Sequence, residues 1–122
     1  MLIVAKVLTG VVALIHVYIV VLEMALFRSR GAKVFGIAPQ NVELMAPAMS
    51  NQGLYNGFLV AALALGLFLS DPALATAFTR FGLICVIVAG VWGAITVSPR
   101  ILFVQAVPAA LALAAHWVAS RG

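Results

Sequence analysis

The sequence predicts an all-α protein, a four-helix transmembrane bundle with a short interfacial segment in its first loop, and three observations give that class. Of the 122 residues, 66% are hydrophobic and 8% are charged, against about 45–50% and about 25% in soluble domains. So little polar surface cannot cover a fold in water, and the lipid bilayer is the first partner the composition implies. The apolar stretches approach the ~20 residues that cross a hydrocarbon layer. Four of them nearly exhaust the length, which makes residues 1–122 a single integral membrane domain. The Ala-, Gly- and Val-rich composition fits a bacterial cytoplasmic (inner) membrane crossed several times.

The expected spans are about 2–27, 50–69, 78–97 and 100–119. The first ends at the basic cluster Arg28, Arg30 and Lys33. Its apolar run exceeds a signal-peptide core and no small-x-small cleavage site follows, so it reads as a retained helix. Residues 28–50 form the one substantial loop, in which Pro39 and Pro47 bracket an interfacial helix over Gln40 to Ala46. The second span closes at Ser70-Asp71-Pro72, a stop followed by an N-cap and a first-turn proline. In the third helix Arg80 lies about a third of the way in, so the first two turns are expected along the interface, with the spanning part starting near Arg80. Ser98 and Pro99 repeat the cap-and-proline signal before the fourth span.

The net charge of +4 comes from basic residues placed mostly at segment ends, the positions of headgroup anchors, and implies no nucleic acid. Arg28, Arg30, Lys33 and Arg100 fall on one side of the membrane and Lys6, Arg80 and Arg121 on the other. The compact first cluster favours a cytoplasmic first loop with both termini outside. Cys85, the single cysteine, supports neither a disulfide nor a zinc site and reads as a small packing residue. No metal-ligand spacing, nucleophile motif or phosphate loop occurs, so neither a metal nor a cofactor is expected.

Glu23 is the only acidic residue inside any of the long apolar segments, one heptad after His16, which is one heptad after Thr9. On a helix the three share a face. A carboxyl and an imidazole in hydrocarbon cost free energy unless partnered, so this stripe should turn inward, and such residues are functional candidates by default. The second span opens with Asn51, Gln52, Tyr55 and Asn56, at a depth similar to that of Glu23, so Asn56 and Glu23 can meet across the helix pair. Gln105 and His116, eleven residues apart, return to one face of the fourth span with Ala109 and Ala112 between them. Gly82, Ala89, Gly93 and Thr96 form a small-residue line on the third. Gly53 and Gly57, continued by Ala61, read as a helix-packing seam that also offers a homo-oligomer contact.

The run Asn51-Gln52-Gly53-Leu54-Tyr55-Asn56-Gly57-Phe58-Leu59, the segment from His16 to Glu23, Lys33-Val34-Phe35-Gly36, Gly93-Ala94-Ile95-Thr96 and Gln105-x-x-Pro108-Ala109 resemble a family of small bacterial integral membrane proteins known as a domain of unknown function. The resemblance covers nearly the whole chain and implies a stand-alone four-helix membrane protein. It transfers no activity.

Three functions fit these residues. One is a polar intramembrane pocket, lined by Thr9, His16, Glu23, Asn51, Gln52, Tyr55, Asn56, Gln105 and His116, that binds a small or lipid-derived molecule and acts on it with His16 and Glu23 as candidate base and acid. Another is a proton-coupled exporter of lipophilic cations, since the layout of four helices with an acid in the first is similar to that of the small multidrug-resistance exporters. Their acid lies nearer mid-helix. The last is an accessory subunit whose polar stripe binds a partner helix.

Overall fold

A computed structural model describes residues 1–122. All regular structure is helical. Helix α1 (Leu2–Val20) continues into a π turn (Val21–Ala25), and a second wide turn (Phe27–Gly31) leads to a single turn, α2 (Ala32–Val34). A 3-10 turn (Pro39–Asn41) starts α3 (Val42–Phe68). Helix α4 is Pro72–Thr96, and a third π turn (Leu102–Ala106) opens α5 (Val107–Arg121). The chain divides into two compact units, one of residues 1–15 and 59–122, the other of residues 16–58.

In the first unit the core is Val12 of α1, Leu63 of α3, Leu83 and Val86 of α4, and Ala109 and Ala112 of α5. Small residues set the spacing. A Cβ on Gly90 would lie 2.6 Å from the Ala106 amide nitrogen, so only glycine lets α4 approach the wide turn before α5. The buried face of α4 is Thr79, Gly82, Leu83, Val86 and Gly90. The expected line through Ala89, Gly93 and Thr96 is therefore turned by a residue, with Ala89 and Thr96 exposed. Asp71 caps α4 as its sequence predicts, its Oδ1 accepting from the Leu74 amide at 2.9 Å with Pro72 in the first turn. Helix α4 then runs unbroken through Arg80. The widened turn before α5 has a local cause: Pro108 has no N–H to give Val104, and its ring crowds that carbonyl. The Val107 amide accordingly reaches back five residues, to Leu102.

The second unit is organised around a chain reversal. Leu26 leaves helical geometry at φ −117°, and the Leu26 and Gly31 amides bond five residues back, to Val21 and Leu26. Gly31 then rests against the Leu22 carbonyl, where any side chain would collide. Phe27, Ala32 and Ala46 form a small core with Phe35, Ile37, Val42, Met45 and Met49 around it. Pro47 does not interrupt the backbone as expected. It lies inside α3, which is continuous from Val42, because losing one amide leaves only the Glu43 carbonyl of the ladder without a donor, and Glu43 is exposed to water. The stretch over Gln40 to Ala46 thus belongs to the 3-10 turn and the first turns of α3.

Three helices are long and apolar enough to cross a membrane: Leu2–Ala25, Pro72–Thr96 and Leu102–Arg121. Helix α3 has the length but carries amides in its middle. The outward side chains agree with a membrane protein, since Ile3, Leu14, Phe68, Phe81, Val88 and Ile95 are all exposed, a surface that water would not tolerate.

Candidate functional site

Polar side chains are buried in two places. In the second unit His16 is fully buried and Glu23, on the π turn, is only 3% exposed. Asn56 of α3 donates its Nδ2 to Glu23 Oε1 at 2.5 Å. Gly53, one turn earlier, makes the contact sterically open: a side chain there would strike Met24 and stand 3.1 Å from the Glu23 Cβ. The arginines after the first span are engaged elsewhere. Arg28 Nε pairs with Glu43 Oε1 at 2.7 Å, and that carboxylate holds its guanidinium pKa above the ordinary value, while Arg30 Nε donates to the Tyr18 hydroxyl at 3.1 Å. Glu23 is thereby left to Asn56.

The remaining α3 residues expected beside Glu23 do not join it. Asn51, Gln52 and Tyr55 are exposed, and Tyr55 meets Phe58 edge-on at 5.8 Å. Close packing at Gly53 centres the buried stripe on Gly53 and Asn56, and at 100° per residue this carries the other three outside it. Of the expected small-residue seam, Gly53 is filled by Met24 of the same chain, whereas Gly57 has open space where a Cβ would be.

In the first unit Thr9 is fully buried. Its hydroxyl donates to the Ala5 carbonyl at 2.8 Å, and His116 Nε2 lies 2.8 Å from the same oxygen. A hydroxyl has one proton, so toward His116 the Thr9 oxygen accepts, and Nε2 carries the hydrogen. The imidazole is fixed with Nδ1 left as its free acceptor.

Two hollows meet at this histidine. A chamber of mixed lining, about 360 Å³, sets Lys6, Ser70, Thr79, Arg80 and His116 among apolar residues such as Leu2, Leu67, Leu69 and Pro72. An apolar groove of about 380 Å³ runs along α4 and α5 past Ile87, Ala110, Leu113 and Trp117, and ends at the same Arg80 and His116. Each is at the lower end of the ~300–1,000 Å³ of small-molecule sites. Gln105, half-buried, lies in the widened turn packed on Gly90, its Cβ 3.0 Å from where a Gly90 Cβ would be.

Residues 10–117 match the model of a protein family described as a protein of unknown function, DUF1304. The chain belongs to the DUF1304 family. No curated protein and no solved structure matches it.

In this DUF1304 protein the cationic residues of the chamber were the part that sequence reasoning missed. Lys6 and Arg80 read as headgroup anchors. The signal was nevertheless present, because the alternation of spans puts Lys6, Arg80 and His116 at one end of the molecule, and a guanidinium several turns inside an apolar helix is costly unless something polar faces it.

Proposed function

We propose that this DUF1304 protein is a four-span membrane protein that binds a lipid-derived amphiphile, its head in the chamber and its tail in the adjoining groove. The observation that carries the reading is that the two hollows, one with cations and hydroxyls in a mixed wall and the other almost wholly apolar, share Arg80 and His116 at their junction. An amphiphile is the molecule whose two parts such a pair of sites suits. The Thr9 bond supports it further, since a fixed imidazole offers a directed acceptor at the head-to-tail boundary. Helix α3 is the fourth span in this reading. Its 27 residues extend ~40 Å, some 10 Å beyond the hydrocarbon, so its first turns, with Asn51 and Gln52 just beyond them, stand near headgroups, where exposed amides are hydrated. The Glu23–Asn56 bond clamps α3 to the first span.

Native mass spectrometry of the protein released from membranes in mild detergent tests this. A population carrying one lipid-sized adduct is expected, and Leu113→Trp, which fills the groove, should abolish it while the protein remains monodisperse. Adducts of unchanged abundance in that variant would refute groove binding.

A further inference from the structure

We infer that the bound amphiphile carries an anionic phosphate headgroup with a hydroxyl on it, of the phosphoglycerol or phosphomonoester kind. This rests on the amphiphile reading and specifies its head. Lys6 and Arg80 both border the chamber, and neither has a carboxylate partner, since the one ion pair in the structure is Arg28 with Glu43. Arg121, the other cation at this end, is stacked on the Trp117 ring at 3.9 Å. Asp71, between the chamber residues Ser70 and Pro72, does not itself line the chamber; its Oδ1 caps α4 by accepting from the Leu74 amide. Lys6 and Arg80 are both exposed, and two unpaired cations side by side put a positive potential on whatever fills the chamber.

The rest of the wall selects among anions. Ser70 and Thr76 add hydroxyls to the two cationic groups, whereas Ser120 gives its one proton to the Trp117 carbonyl at 2.7 Å. Such a donor set suits the several oxygens of a tetrahedral phosphate, which the guanidinium grips in bidentate fashion, better than the two coplanar oxygens of a carboxylate. His116 adds the opposite chemistry. With Nε2 committed to Thr9, its Nδ1 accepts a hydrogen, so the head should carry an O–H beside its phosphate. A phosphocholine head fails on both counts: it has no O–H, and its quaternary ammonium would be set against Lys6 and Arg80.

Trp117 borders the groove and the only other tryptophan, Trp92, is outside both hollows, which supplies the probe. In Trp92→Phe protein reconstituted into vesicles of phosphocholine lipid with brominated chains, Trp117 fluorescence is quenched. Adding unbrominated phosphoglycerol lipid should relieve the quenching as though that lipid were preferred by about 10-fold over its mole fraction. Lys6→Gln and Arg80→Gln should each cut the preference by about 5-fold, Arg80→Lys, which keeps the charge but loses the bidentate fork, should fall between wild type and Arg80→Gln, and Arg100→Gln should leave it intact.

Relief that follows mole fraction alone, with Trp117 still quenched, would overturn the headgroup inference while the amphiphile reading stood. Trp117 quenched no more than Trp92 in the complementary Trp117→Phe protein would overturn that reading itself. Soluble glycerol phosphate, added at millimolar concentration to the brominated vesicles, should relieve nothing, and relief by it would contradict a lipid source.

Discussion

Glu23 and Asn56 show at the residue scale how a sparse sequence signal becomes a contact. An acid in an apolar helix needs a donor, and among the amides at its depth only Asn56 stands on the face that Gly53 allows to approach. Removing either partner strands the other, so Asn56→Ala and Glu23→Ala should each destabilise. A double-mutant cycle by thermal unfolding in micelles should give a coupling of about 0.6–2 kcal/mol; additive effects would mean that the bond holds nothing. The sequence made this pair legible through depth and residue type. It left Asn51, Gln52 and Tyr55 on the wrong side, because which face of α3 is buried is decided by a glycine contact, and the spacing of the amides does not report it. Thr9 and His116 were visible as polar residues on separate helices, but their mutual bond depends on packing. Thr9→Val should free the imidazole, lower stability by about 1 kcal/mol and weaken lipid retention in mass spectrometry; retention equal to wild type would show that ring fixation is irrelevant to binding.

Two glycines four residues apart on α3 make opposite predictions at the scale of the element. Gly53→Ala drives a methyl into the Met24 side chain, and although that chain is flexible, the shift loosens the Glu23–Asn56 bond, for a cost of about 1–2 kcal/mol. Gly57→Ala meets open space and should be neutral or stabilising by up to about 1 kcal/mol through helix propensity. Unfolding midpoints that fall equally in both would contradict the assignment of the seam to an intrachain contact. Element ends were legible where a cap or a proline acts locally, as at Asp71-Pro72. The continuous passage of α3 through Pro47 was not, because the cost of one lost hydrogen bond is set by whether water reaches the stranded carbonyl. The wide turn at Leu102–Ala106 has its cause in Pro108, but the same residue is equally compatible with a kink, and sequence does not choose between them.

For the whole molecule, composition alone placed the chain among membrane proteins, and the long apolar helices of the structure agree. Three helices meet the length and apolarity of a span, and the proposed fourth crossing, by α3, has a topological test. In a Cys85→Ser background, single cysteines introduced by Ala38→Cys, Ser70→Cys and Ser98→Cys report their side of the membrane to an impermeant thiol reagent. Four crossings require positions 38 and 98 to react from one side and position 70 from the other. Positions 38 and 70 reacting together would mean that α3 does not cross.

The cationic chamber is a property of this scale too, since Lys6, Arg80 and His116 come from three helices, each of which alone presents an ordinary anchor or terminal histidine. Their convergence with an apolar groove is the basis of the account, and photo-crosslinking probes it most directly. With a phosphoglycerol lipid that carries a photoreactive group in its acyl chain, the account predicts adducts concentrated on the groove residues Ile87, Ala110 and Leu113. Adducts spread evenly over the outward-facing Ile3, Leu14 and Ile95, with no enrichment in the groove, would contradict it.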